Sequence, residues 1–386
     1  MPTPAEDLLA DLAVQLQELD SQGLRRTLQE PTGIDFSSND YLGLGNDPEL
    51  RDAVLARLAA LPAGSPLASP ASRILRGTTR VHAELEERLA AFKGTEAALL
   101  FPSGWQANAA LLTALLEPND RALSDSLNHA SLIDGLRLAG CVRVTVPHLD
   151  LHAIERDLAM PHPSGRTFLV TESLFSMDGD IAPLDIYADL AERRGACLIV
   201  DDAHATGVFG DARGSGLAEH FGIERRAVAL VSTLGKALGF QGAFVAGPRL
   251  VIENLINHAR PFVFTTAPSP LLLHAVGAAL DLLEREPERR RRVLALADRL
   301  RGRLREAGIP AVGEEGPIVP VMLGDNHRAV AVAEQVQRQG FDVRAVRPPT
   351  VPPKTARLRV SVHANHSEEQ IDALADAIAA AVGAHP

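Results

Sequence analysis

The period of the apolar positions changes repeatedly along the chain. Asp47-Pro48 opens a helix expected to run to Leu61, with Leu50, Val54, Leu58 and Leu61 at helical spacing. The stretch 81–92 repeats the pattern through Leu85, Leu89 and Phe92, and Gly94 stops it. Short apolar runs bounded by turn residues then predict buried strands at 97–101, 142–146, 168–171, 196–200, 227–231 and 243–246. Helical patterns fall between most of them, at 105–116, 129–139, 151–160 and 183–193. Strands separated by helices imply an α/β fold with a mostly parallel sheet covered on both faces.

After Pro268 the texture changes. Two long helical stretches, 270–284 and 289–307, lead to a strand–helix–strand–helix tail at 318–323, 327–339, 357–362 and 368–382. The chain therefore divides into an N-terminal arm (1–46), a large α/β domain (47–267) and linking helices with a smaller α+β domain (268–386). Composition supports a packed core: 46% of the 386 residues are hydrophobic and 23% charged. A net charge of −11 argues against a nucleic-acid or anionic-membrane partner, while leaving room for a local basic pocket. The run Glu284–Arg292 (EREPERRRR) mixes signs at a helix start and is expected to be a solvated face. The apolar stretch 268–283 carries His274 and Asp281 and is too short to span a bilayer. The acidic start lacks the basic region of a signal peptide, so a soluble, cytoplasmic protein is expected. Two cysteines, Cys141 and Cys197, indicate neither a disulfide framework nor a zinc site.

In an open parallel sheet, ligands sit beyond the carboxyl ends of the strands, so the polar residues that follow the apolar runs matter most. The turn Phe101-Pro-Ser-Gly-Trp105 leads into a helix and can offer Ser103, Gly104 and Trp105 to an anion such as phosphate, although many such turns bind nothing. Asp201 follows the run ACLIV, with His204 three residues on. A desolvated carboxylate there needs a cation or strong donors, unless Asp201 or Asp202 simply caps a helix. The chain has only three lysines. Lys93 is explained as a helix C-terminal residue before Gly94, and Lys354 lies in a proline-rich loop. Only Lys236, in STLGKALG, has the buried setting that makes an amine a Schiff-base nucleophile. Ser232, Thr233 and Gly235 could add phosphate donors; neither a P-loop nor a dinucleotide fingerprint is present. Finally, 347–359 (RPPTVPPKTARLR) rigidifies a loop before a strand with alternating arginines. They are either carboxylate ligands or the solvated Arg357 and Arg359 of a surface strand. A phosphate turn, a strand-end Asp, an isolated Lys and a late Arg together describe a pyridoxal-phosphate site for an amino acid.

The sequence resembles the α-oxoamine synthases, fold-type I pyridoxal-phosphate enzymes with an aspartate-aminotransferase-like fold. The resemblance spans about 35–364 through FSSNDYLGLG (36–45), FPSGWQAN (101–108), SLNHASLIDG (126–135), TESLFSMDGDIAPL (171–184), VDDAHATGVFG (200–210), STLGKALG (232–239) and RPPTVPPKTARLRVS (347–361). The last string favours the member that joins a pimeloyl thioester, on coenzyme A or acyl carrier protein, to L-alanine in biotin synthesis. A sibling using glycine and acetyl-CoA, and a catalytically silent protein of the same fold, are the alternatives. The resemblance implies that pyridoxal 5′-phosphate is anchored by Lys236, which also moves the Cα proton. Asp201 would hold the pyridinium nitrogen and His129 would stack on the ring. Ser176 and His204 would bond the phenolic oxygen. Ser103, Gly104, Trp105 and Thr233 would hold the phosphate, with Thr265 or Thr266 reaching that of a neighbouring subunit in a homodimer with shared active sites. Arg359 would grip the alanine carboxylate, and Arg25, Asn39 and Thr350 are further candidates for substrate contacts. Two departures, the Pro- and Ser-rich segment 64–77 and Trp105 in place of Phe or Tyr, bear on the acyl channel.

Overall fold

The computed structural model describes residues 3–385 except Pro163 and Glu314. Its strands are β1 (Ile34–Asp35), β2 (Ala97–Phe101), β3 (Arg121–Asp125), β4 (Val142–Val146), β5 (Thr167–Glu172), β6 (Cys197–Asp201), β7 (Ala229–Thr233), β8 (Ala243–Gly247), β9 (Ile318–Gly324), β10 (Phe341–Asp342), β11 (Arg344–Val346) and β12 (Ala356–Ser361). The chain forms two compact units. The larger comprises Asn39–Ser176 and Asp180–Val293, and the smaller Met1–Ser38, Met177–Gly179 and Leu294–Pro386.

These limits differ from the sequence-based boundaries at 46/47 and 267/268. The helix Pro270–Arg285 buries Leu273, Val276, Leu280 and Leu283 and packs on the helices Pro48–Ala59 and Arg80–Lys93, which ties it to the larger unit. At the other end of the chain, β1 pairs in parallel with β10, Ile34 against Phe341 and Asp35 against Asp342, which ties the first residues to the smaller unit.

The larger unit is built on a seven-stranded sheet of order β2-β8-β7-β6-β5-β3-β4. The pairs β4–β3, β3–β5, β5–β6 and β6–β7 are parallel, and β8 runs antiparallel between β7 and β2. The expected mostly parallel sheet is therefore present, with one opposed strand. Two details differ from expectation. β3 carries no continuous apolar run, because its end residues Arg121 and Asp125 are charged; both are buried and bonded, Arg121 to the Met160 carbonyl (3.0 Å) and Thr167 (3.1 Å). β4, expected to be buried, is the sheet edge, and Val142, Arg143 and Thr145 are exposed.

One helix pair does most to position the site. The helix Gly104–Leu115 is capped by Ser103, whose hydroxyl accepts the Gln106 N–H, and buries Ala107, Ala110, Leu111 and Leu112 in a cluster with Leu99, Phe101, Val231 and Val245 of the sheet. The helix Ala130–Ala139 lies against it at Gly135. A Cβ there would meet Leu112 Cδ1 at 2.7 Å and the Asn108 carbonyl at 3.3 Å, so only glycine permits this approach. The close contact brings Asn108 on one helix to Ser131 on the other.

The smaller unit holds an antiparallel sheet of order β11-β12-β9, with Arg344 opposite Arg359 and Arg359 opposite Pro320. The helix Asn326–Arg338 packs on it, and the helix Glu368–Ala384 packs against that helix. The segment expected as an arm contains a helix, Pro4–Ser21, opened by a Thr3/Glu6 capping box; it has no buried residue. Among the described residues, no helix is long and apolar enough to cross a membrane.

Candidate active site

Most of the expected site residues lie in the larger unit, at the carboxyl ends of its parallel strands and the turns that follow them. Asp201 ends β6 and is 8% exposed. Its Oδ2 accepts from Asn108 Nδ2 at 2.7 Å and its Oδ1 from the Ala203 N–H at 3.0 Å, so the carboxylate is oriented by two donors instead of capping a helix. The second hydrogen of the Asn108 amide goes to Ser131 Oγ (2.8 Å), and Ser131 Oγ in turn lies 2.8 Å from His129 Nδ1. The chain Asp201–Asn108–Ser131–His129 fixes more than position. The backbone N–H of Ser131 also donates to His129 Nδ1 (3.2 Å), so Nδ1 is an acceptor and neutral His129 carries its proton on Nε2.

His129 opens to the surface, yet the protein around its base desolvates the ring and lowers its pKa; Asp201 opposes this and Lys236 reinforces it. These influences also place Lys236 within electrostatic reach of His129. Trp105 meets His129 edge-on, with ring centroids 6.2 Å apart and planes at 74°. The Gly104 and Trp105 N–H groups head their helix with no carbonyl one turn behind to accept them, and a Cβ on Gly104 would meet nothing within 4 Å. Thr233, at the end of β7, accepts the Gly235 N–H and donates to the Gly242 carbonyl, which shapes the turn that carries Lys236. Thr265 accepts from Gln106 Nε2 (3.3 Å) and Thr266 is exposed. Ser176 and His204 are buried, at 8% and 6% exposure.

One reading of the lysines is corrected. Lys236 is half-buried, whereas Lys93 is completely buried. Its Nζ is 2.7 Å from Asp202 Oδ2 and 2.9 Å from Thr206 Oγ1, and it also donates to the Ser215 carbonyl. Lys93 is thus the buried counter-ion of Asp202, and the ion pair, not helix capping, explains it. Arg357 and Arg359 are not solvated either, at 2% and 7% exposure. Arg357 is held by Asp178 (2.5 Å) and the Met177 carbonyl (3.1 Å), while Arg359 Nη1 donates to Ser361 Oγ (2.8 Å).

Arg25, Thr350 and Arg359 belong to the smaller unit. There Arg25 is paired with Asp20 (2.6 Å), and Arg26, which the sequence did not single out, reaches the Thr350 hydroxyl (3.2 Å). In the larger unit, Asn39 Oδ1 accepts from the Tyr41 hydroxyl (3.1 Å), which also lies 2.7 Å from His204 Nδ1. Tyr41, Asn108, Ser131 and Glu172 were missed as site residues. Tyr41 and Asn108 lie inside recognised strings, but nothing in their spacing marks a bond to His204 or Asp201.

A groove of about 810 Å³ in this unit, lined among others by Arg73, Ile74, Glu86, Leu99 and Phe262, contains none of the expected site residues. The residues that do converge fit pyridoxal phosphate. A buried carboxylate stands ready for a ring N–H, and an open helix N-terminus with a glycine cradle for a phosphate. The Asn108 Oδ1, buried and without a partner among the described atoms, marks a polar spot that is still unsatisfied.

Comparison with known proteins agrees. The family model for aminotransferase class I and II matches residues 31–378. An 8-amino-7-oxononanoate synthase of Anaeromyxobacter dehalogenans (strain 2CP-1) is 44% identical over 383 residues, covering 96% of this chain and 94% of that one. A solved structure of SPT with PLP superposes with a TM-score of 0.88 at 28% identity, covering 98% of both chains. The 8-amino-7-oxononanoate synthase of Francisella tularensis superposes with a TM-score of 0.77 at 27% identity, over 91% of this chain and 98% of that one.

Proposed function

The chain belongs to the aminotransferase class I and II family and, at 44% identity over nearly its whole length, to the 8-amino-7-oxononanoate synthases; from that premise we propose that it condenses L-alanine with a pimeloyl thioester, releasing 8-amino-7-oxononanoate, carbon dioxide and the free carrier. Pyridoxal 5′-phosphate, when bound, supplies an electron sink for the Cα of the amino acid. Lys236 is the covalent anchor and the base that takes and returns the Cα proton. Asp201, oriented by Asn108, holds the proton on the ring nitrogen. His129 would cover the bound cofactor ring, with its Nε2–H available as a donor because Nδ1 accepts from Ser131. Ser176 and His204 would bond the cofactor's phenolic oxygen, with Tyr41 behind His204. The N–H groups of Gly104 and Trp105, with Thr233, hold the phosphate, while Ser103 keeps that turn capped. Arg359 is the alanine carboxylate ligand in this reading. Of the weaker substrate candidates, Asn39 is favoured over Arg25 and Thr350 by its link through Tyr41 to His204.

The observation that carries the cofactor chemistry is the bonded chain Asp201–Asn108–Ser131–His129. The substrate pair rests on the 44% relative, because solved structures near 28% identity include an enzyme named for a different substrate. A homodimer is part of the proposal. Leu75 (83% exposed) and Phe264 (72%) leave apolar surface open beside the groove lined by Ile74 and Phe262, and the exposed Thr266 is free to reach a second subunit. Two unpaired cysteines fit a reducing cytoplasm. The deciding experiment incubates the purified holoenzyme with L-alanine and pimeloyl-CoA, and in parallel with glycine and acetyl-CoA. Predominant 8-amino-7-oxononanoate by mass supports the reading; predominant 2-amino-3-oxobutyrate moves the protein to the sibling reaction. Substituting pimeloyl-acyl carrier protein for the CoA ester then identifies the preferred carrier.

A further inference from the structure

One buried titratable group at the site has no part in the chemistry above. Glu172 ends β5 just as Asp201 ends β6, and the two are register partners on adjacent parallel strands. Side chains at paired positions of neighbouring strands share a face of the sheet, so the two carboxyl groups stand side by side. Both are buried, at 3% and 8% exposure. Their donors differ. Among the described residues, Asp201 receives the Asn108 amide and the Ala203 N–H, whereas Glu172 receives one donor, the backbone N–H of His129 at 2.5 Å. Two adjacent buried carboxyl groups do not both ionise readily, and the one with more donors keeps the charge.

We propose that Glu172 is a positioning residue: a neutral carboxylic acid beside Asp201 that fixes the backbone of His129, and through it the His129 ring, while setting no second negative charge against Asp201 from the adjacent strand. This rests on the pyridoxal-phosphate reading of the site. With Glu172 in place, His129 is held from both sides, by Glu172 at its N–H and by Ser131 at Nδ1. The two carboxylates facing Glu172 favour the neutral form and Lys236 opposes it. Burial first, then Asp201 on β6 and Asp125 on β3, outweigh Lys236 and the His129 N–H and together hold the Glu172 pKa at about 8. An ionised Glu172 would set a second negative charge against Asp201 and draw Lys236 away from its own task.

The neutral acid makes a distinctive prediction, because glutamine reproduces an uncharged acceptor of the same length. Glu172→Gln and Glu172→Ala are purified, stripped of cofactor and titrated with pyridoxal phosphate, with affinity and the pH midpoint of the bound cofactor's visible absorbance as readouts. Glu172→Gln is expected to keep the affinity within about threefold of the parent and the absorbance midpoint in place. Glu172→Ala, which orphans the His129 N–H, is expected to lose about tenfold or more in affinity and to displace the midpoint. Two results overturn the proposal: Glu172→Gln as impaired as Glu172→Ala, which would mean that the negative charge is needed, or Glu172→Ala indistinguishable from the parent. Neither readout needs an acyl substrate, so failure of the alanine–pimeloyl assignment leaves this test intact. Failure of the parent protein to bind pyridoxal phosphate would instead remove the cofactor reading itself.

Discussion

Lys93→Met tests whether the buried ion pair beneath the site holds it together. Lys93 Nζ has three partners, Asp202 Oδ2 (2.7 Å), Thr206 Oγ1 (2.9 Å) and the Ser215 carbonyl, and both charged side chains are fully buried. Asp202 also accepts from Ser173 Oγ (2.6 Å) and the Leu217 N–H (3.2 Å), and Thr206 meets Ser232 (2.9 Å). The network therefore joins the chain just beyond β5 and β6 to Ser232 of β7, next to Asp201 and Thr233. The backbone packs so tightly around it that a Cβ on Gly216, at φ +130°, would lie 2.0 Å from Asp202 Oδ2. Methionine fills the volume of the lysine stem but leaves the Asp202 charge uncompensated. Removing one partner of such a pair costs about 3–5 kcal/mol. For a unit of roughly 250 residues, that lowers the melting temperature by roughly 6–10 °C. The double variant Lys93→Met/Asp202→Asn should recover at least about 1 kcal/mol relative to the sum of the two single changes, because each single change leaves a lone buried charge and the double variant leaves none. Thermal and urea unfolding of the three variants without cofactor, followed by circular dichroism, provide the measurement. A Lys93→Met variant within about 1 kcal/mol of the parent, or strict additivity in the double variant, would refute the reasoning.

Three further outcomes follow from the geometry. Lys236→Ala should give a folded protein without turnover in the alanine–pimeloyl assay; normal product formation would exclude Lys236 as the anchor. Asn108→Leu removes the side-chain donor to Asp201 and the donor to Ser131, and should lower kcat about 10- to 100-fold with little change in KM, as expected when an interaction strengthens toward the transition state; an unchanged kcat would contradict the role given to the chain. His148 bridges Asp125 (2.9 Å) and Asp180 (3.2 Å); burial opposes its charge, but the two carboxylates prevail and push its pKa up to about 9. Because the folded-state pKa is raised, its contribution, at most about 3 kcal/mol, is fully present below about pH 6.5 and is lost as the pH rises through about 9. Urea midpoints of the parent should fall more steeply across that window than those of His148→Phe, which keeps only the other titrations, Glu172 among them, and parallel curves would refute the assignment.

The fold and the site differ in how far the sequence discloses them, and the difference has one physical cause. Helix spacing, Gly94 and the apolar runs between turns act locally, so six strands of the large sheet and the helices between them can be read from the chain. β3 escapes because its charged ends, Arg121 and Asp125, become acceptable only through partners distant in sequence, Met160 and Thr167 for one and His148 for the other. Lys93 reads as an ordinary helix end for the same reason, since the counter-ion that buries it lies 109 residues away. Asn108 and Ser131 meet only because Gly135 lets two helices close up, and no spacing along the sequence encodes that approach. Glu172 is the informative case. It ends the run TFLVTE as Asp201 ends CLIVD, so the rule that selected Asp201, a carboxylate at the mouth of a buried strand, selects Glu172 equally well. What separates them is the set of donors around each carboxyl group, which is settled when the strands come into register and is invisible before then. A strand-end carboxylate can thus be located from sequence, but its protonation state, and with it its role, belongs to the folded neighbourhood.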